Sequence, residues 1–111
     1  MANSPKLARN MNSIKYSDLQ DSKPIKVNVE GEDICVTRIG DEVFAIGDNC
    51  THSDASLSEG DVTNFKIECW LHGAEFDLRT GEALTLPANI PAKTYPVTII
   101  DGIVQISVNT K

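Results

Sequence analysis

The stretch Val97-Thr98-Ile99-Ile100-Asp101-Gly102-Ile103-Val104-Gln105-Ile106-Ser107-Val108 decides the fold class. Its β-branched runs flank Asp101-Gly102, a pair suited to the positive φ angles of a tight two-residue turn. It reads as a hairpin of strands Val97–Ile100 and Ile103–Val108. Upstream, Ile25, Val27 and Val29 alternate with Lys26, Asn28 and Glu30, the period of a half-buried strand. After Gly31 the chain resumes with Ile34, Val36, Thr37 and Ile39, turns at Gly40-Asp41, and continues through Val43–Ile46. That is an antiparallel meander. Phe65–Cys69 and Glu75–Leu78 read as two further short strands, closed by Arg79-Thr80-Gly81-Glu82. No segment shows a 3.6-residue apolar period, and Ser17-Asp18-Leu19-Gln20 forms one helical turn at most. Between Ala83 and Pro96, Pro87, Pro91 and Pro96 exclude a central strand and predict an ordered loop. The expectation is an all-β chain, a small antiparallel sandwich or partly open barrel.

At 111 residues the chain supports one core, and a large catalytic domain does not fit in it. Residues 1–13, rich in Asn and Ser and poor in apolar side chains, read as a flexible N-terminal tail, with the domain at 14–108. No apolar stretch approaches the length of a signal peptide or membrane span, so a soluble cytoplasmic protein without membrane association is expected. The net charge of −6 and the lack of a basic patch argue against a nucleic-acid partner. Between Asp41 and Asp61 stand six acids (Asp41, Glu42, Asp48, Asp54, Glu59, Asp61) and no Lys or Arg. An acidic surface of this kind either steers a positively charged partner or simply aids solubility, and charge alone does not choose.

Three cysteines in such a chain do not suggest a disulfide framework. Two of them stand beside histidines, in Cys50-Thr51-His52 and Cys69-Trp70-Leu71-His72-Gly73. The pattern is Cys-x-His, sixteen residues, then Cys-x-x-His. In extended backbone, residues i and i+2 project to one side, so Cys50 and His52 can face one site. Cys-x-x-His needs a tight turn instead, and Gly73 directly after it permits a close backbone approach. Thiolate and neutral imidazole both suit iron, and a structural zinc site is the competing reading. Zinc domains usually group like ligands in short pairs, whereas these boxes are mixed. A nucleophilic cysteine would leave the second pair unexplained.

With Phe76-Asp77-Leu78 and Thr80-Gly81 following, the two boxes resemble the signature of Rieske [2Fe–2S] proteins. The similarity runs from about Ile14 to Val108 and is strongest to the small ferredoxins of bacterial aromatic-ring-hydroxylating dioxygenase systems. The resemblance implies a Rieske-like fold with a cluster-binding part of two loops at about 48–78. It implies that Cys50 and Cys69 bind one iron of a [2Fe–2S] cluster, and His52 and His72 the outer one. A covering third loop would fall at Leu86-Pro87-Ala88. Two ferric ions, two sulfides and two thiolates sum to zero charge, and reduction leaves −1. A four-cysteine cluster passes from −2 to −3, consistent with Rieske potentials of roughly −150 to +300 mV against about −400 mV for plant-type clusters.

Departures from the family pattern sharpen the expectation. High-potential respiratory members carry a loop disulfide where this chain has Ala55 and Leu71, and Ser and Tyr hydroxyls where it has Ala74 and Phe76. A low potential for a Rieske centre is therefore expected. Thr51 and Trp70 stand where many of the ferredoxins have proline. Cys35 reads as a buried structural thiol. Trp70 reads as packing under the cluster loop in preference to lying on a docking face, and Leu57 and Leu71 as cluster cover or core.

Both histidines of the chain are consumed by the cluster, so the separate mononuclear iron of a Rieske oxygenase has no ligands here. No catalytic residue is assigned, and no glycine-rich dinucleotide fingerprint is present. The expectation is a non-catalytic electron carrier between a reductase and a terminal acceptor, foremost a ring-hydroxylating oxygenase. Docking would centre on His52 and His72. An accessory role in iron–sulfur assembly, or the small subunit of a nitrite reductase, are the alternatives.

Overall fold

A computed structural model describes residues 13–50, 55–71, 73–85 and 90–108. His52, His72 and the expected covering loop Leu86-Pro87-Ala88 lie outside the described residues, as does the expected tail except Ser13.

Among the described residues, nine strands make three antiparallel three-stranded sheets, none closed into a barrel. The first sheet joins β1 (Ser13–Lys15), β9 (Ile103–Ile106) and β8 (Val97–Ile100) in that spatial order. The second is the meander β2 (Ile25–Val29), β3 (Glu32–Ile39), β4 (Glu42–Gly47). The third joins β5 (Asp61–Thr63), β6 (Lys66–Glu68) and β7 (Glu75–Asp77). Asp101 and Gly102 both take positive φ (52° and 77°), as do Glu30 and Gly31 (52° and 87°), so both hairpins turn as twisted strands require.

The meander is the middle layer. Ile34, Val36 and Ala45 face one apolar cluster with Ile14, Leu19, Val104 and Ile106 from the first sheet's side. Cys35 and Ile46 face a second cluster, with Ile67, Phe76, Cys50 and Cys69. Hence residues 34–37 of β3 are all fully buried, where the alternating pattern had suggested one wet face. The two faces do different work: one holds the scaffold together, the other supports the loops that carry Cys50 and Cys69.

Short elements depart from the sequence reading. β1, β5 and a 3₁₀ turn at Leu57–Glu59 were not foreseen, and the first helical turn is a 3₁₀ turn at Tyr16–Asp18. Phe65, read as the first residue of a strand, lies in the β5–β6 turn with φ of 64°, beside Asn64 at 51°. Its ring is held edge-on against Phe44 at 5.9 Å, with the Arg79 guanidinium 4.8 Å from its centroid. Those contacts fix an aromatic residue in a conformation that side chains seldom adopt.

The proline-bearing segment contains no named strand among its described residues. It runs along the open edge of β4, through Gly47 N–H to Lys93 O (2.7 Å) and Tyr95 N–H to Ala45 O (2.9 Å). An exposed edge is thereby covered by a loop.

Candidate metal centre

Two loops of the same construction meet in the second core. Asn49 bridges Ser56, and Glu68 pairs with Glu75, so each loop springs from paired residues seven apart. In the first, Cys50 N–H donates to Ala55 O at 2.9 Å; in the second, Cys69 N–H donates to Ala74 O at 2.7 Å. Cys50 and Cys69 therefore hold equivalent places just beyond the paired backbone. Each is only 1% exposed, and both belong to one apolar cluster.

Local sequence explains the loops. Ala55 and Ala74, whose carbonyls close the two loops, are buried in the same apolar cluster as the cysteines. Gly73 takes φ of 78°, and its N–H donates to Cys69 O at 2.9 Å, closing the turn. A Cβ at Gly73 would meet the Glu68 carboxylate at 3.3 Å in a backbone conformation strained for any side chain. Gly60 fixes the other side, since a Cβ there would lie 1.8 Å from the Glu68 carbonyl oxygen. The 3₁₀ turn after the first loop thus presses directly on the strand that leads into the second.

Of the expected ligands, Cys50 and Cys69 are buried in one apolar cluster; His52 and His72 belong to the same two loops in sequence. None of the three cysteines is in a disulfide. Where respiratory relatives would place the disulfide, Ala55 is buried and Leu71 is exposed, and neither has a thiol. The donor chemistry fits the expected group: two thiols at matched loop positions, both buried in one apolar cluster where water would have little access to iron–sulfur bonds. Ala74 and Phe76 are fully buried with no hydroxyl to offer.

Cys35, also buried in this core, has its thiol pushed up to about 12, foremost by burial; the Thr37 hydroxyl opposes the shift and the Asp48 charge adds to it. It stays a protonated apolar filler, in keeping with a structural role. Trp70 corrects the sequence reading: it is 54% exposed, with neighbouring Leu71 at 41%, so it does not pack under the loop. The turn closed by Gly73 and Cys69 pushes both side chains outward. Leu57, in contrast, is core. The acidic run also changes meaning, because Asp48 is buried while Asp41, Glu42, Glu59 and Asp61 are exposed.

Residues 10–96 match the Rieske [2Fe–2S] domain. The chain belongs to that family. This Rieske protein carries a Rieske-type [2Fe–2S] cluster. It is 50% identical over 78 residues to the 3-phenylpropionate/cinnamic acid dioxygenase ferredoxin subunit of Photorhabdus laumondii, covering 69% of this chain and 74% of that one. Its fold superposes on the ferredoxin of carbazole 1,9a-dioxygenase from Nocardioides aromaticivorans with a TM-score of 0.86 at 31% identity, covering 89% and 97% of the two chains. It also matches a structure of reduced oxygenase in complex with oxidised ferredoxin in carbazole 1,9a-dioxygenase (TM-score 0.80, 36% identity, 84% of this chain and 96% of that one).

Proposed function

We propose that Cys50, His52, Cys69 and His72 are the cluster ligands of this Rieske ferredoxin, and that it passes single electrons from a reductase to the terminal oxygenase of an aromatic-ring dioxygenase system. The observation that supports the ligand assignment is the matched pair of loops, in which Cys50 and Cys69 take equivalent places and share one buried apolar cluster. Both histidines in the sequence fall within those loops. The partners are proposed from the ferredoxin subunits and the oxygenase–ferredoxin complex that this chain resembles.

The bound cluster supplies a one-electron redox centre. The chain's own residues do the remainder. Cys50 and Cys69 would anchor the centre at the apolar core, and Ile67, Phe76 and Leu57, in the same cluster, would keep water from the two thiolates. Trp70 and Leu71, beside His72 in sequence, present an exposed apolar contact for the acceptor. Such docking is small and transient, as turnover between two partners requires. The chain itself is a carrier and not an enzyme. No helix of the described residues is long and apolar enough to cross a membrane. We place the protein in the cytoplasm, where cysteines unpaired in disulfides persist.

Four single substitutions test the assignment: Cys50→Ser, His52→Ala, Cys69→Ser and His72→Ala. Each is expected to abolish or severely deplete the Rieske cluster, read as iron and sulfide content per chain. Wild-type content in any of them removes that residue from the ligand set. The reconstituted system is expected to hydroxylate an aromatic substrate only when the ferredoxin is present.

A further inference from the structure

Among the described residues, Asp48 is the one charged side chain buried in the core, at 2% exposure. No ion pair to it is found among those residues. Its partners are hydrogen-bond donors instead. One carboxylate oxygen accepts from the Ser56 hydroxyl, and the other accepts from the Ser58 N–H at 2.8 Å. The Ser56 and Ser58 hydroxyls lie 2.8 Å apart and are hydrogen-bonded to each other. The Asp48 backbone adds two bonds, from its N–H to Asp33 O (3.1 Å) and to its carbonyl from Leu57 N–H (2.6 Å). A carboxylate buried without a cation is expensive unless every lone pair is used, and here the donors come from residues just beyond the first ligand loop.

Position gives the arrangement a consequence. Asp48 stands two residues before Cys50, and Ser56 pairs with Asn49 between them. The carboxylate therefore ties together the two ends of the loop that spans residues 50–55. After burial, the Asp48 charge also adds to the upward push on the Cys35 thiol, which shares an apolar cluster with Cys50. Reduction adds one electron to the centre, with no bond made or broken, so a nearby fixed negative charge opposes it.

We infer that Asp48 is a positioning residue with two effects: through Ser56 and Ser58 it clamps the first ligand loop, and its buried negative charge lowers the reduction potential of the cluster. The inference rests on the assignment of Cys50 as a ligand. Asp48→Asn separates charge from geometry. An amide can accept from Ser58 N–H and donate to Ser56 Oγ, while the Ser56 hydroxyl turns to Ser58, so the clamp survives without the charge.

The test is a redox titration of the purified holoprotein, alongside the rate of cluster loss to a chelator. Asp48→Asn is expected to keep a wild-type Rieske spectrum and favour the reduced form about tenfold, a rise of about 59 mV for one electron. Asp48→Ala is expected to lose its cluster to the chelator at least tenfold faster than wild type. Ser56→Ala retains the charge and removes a donor that offsets it, so its midpoint is expected to fall. It decides the question if the Asp48 variants do not fold. An unchanged or lowered midpoint in Asp48→Asn, a raised one in Ser56→Ala, or wild-type cluster retention in Asp48→Ala would overturn the inference. A normal cluster in Cys50→Ser would instead overturn the ligand assignment beneath it.

Discussion

Ala74 and Phe76 are sealed against the core that holds Cys50 and Cys69, and neither has a hydroxyl to donate toward the cluster. Hydrogen bonds to cluster sulfurs favour the reduced, more negative form and raise the potential. Ala74→Ser and Phe76→Tyr are therefore expected to raise the midpoint, each alone and more so together, in a redox titration. Cys35 gives a second prediction. Its thiol, held up to about 12, is expected to resist alkylation at pH 8.5 in the native protein and to react once unfolded. The linkage sign follows: this preference for the protonated form stabilises the fold fully below the thiol's ordinary value of 9.0 and is lost as pH rises toward about 12. Denaturant melts between pH 8 and pH 11 are expected to show the decline. At this scale the family was legible from the mixed Cys/His boxes, because their pattern is local in sequence. Asp48 was not: in sequence it stands among surface acids, and only the fold aims it inward at Ser56 and Ser58.

Elements carry the loops, and their junctions are tight. Gly60→Ala would drive a Cβ into the Glu68 backbone, which cannot swing aside as a flexible side chain would. The substitution is expected to destabilise the protein by about 2–3 kcal/mol in thermal or denaturant unfolding. The β2–β3–β4 meander and the β8–β9 hairpin were legible because alternation and turn residues agreed. β1 and β5, three residues each, are too short to show a period, and their pairing with β9 and β6 creates them. Phe65 was misplaced because its apolar ring resembled a strand residue, while Asn64 was the turn signal. Trp70 was misplaced for a related reason: an aromatic usually packs inward, but a turn closed within five residues has no interior to offer. Trp70→Ala is expected to weaken productive docking, raising KM for the ferredoxin in oxygenase turnover several-fold while the midpoint potential stays put. Trp70→Phe should recover most of the loss.

Across the whole molecule, the meander's two buried faces divide scaffold from metal centre. Sequence alternation did not reveal that division, because consecutive buried residues such as Val36 and Thr37 blur the period of two. The exposed acids Asp41, Glu42, Glu59 and Asp61 leave a negative surface even with Asp48 turned inward. Electron transfer to a partner with a basic face is expected to slow as salt rises, measured by stopped-flow reduction of the acceptor at several ionic strengths. The redox and electron-transfer expectations depend on a [2Fe–2S] cluster held by two thiolates and two imidazoles. The most direct measurement is low-temperature EPR of the purified protein after reduction, with iron and zinc analysis of the same sample. A rhombic Rieske signal with two irons per chain is predicted. A colourless, zinc-loaded protein with no signal would contradict the account.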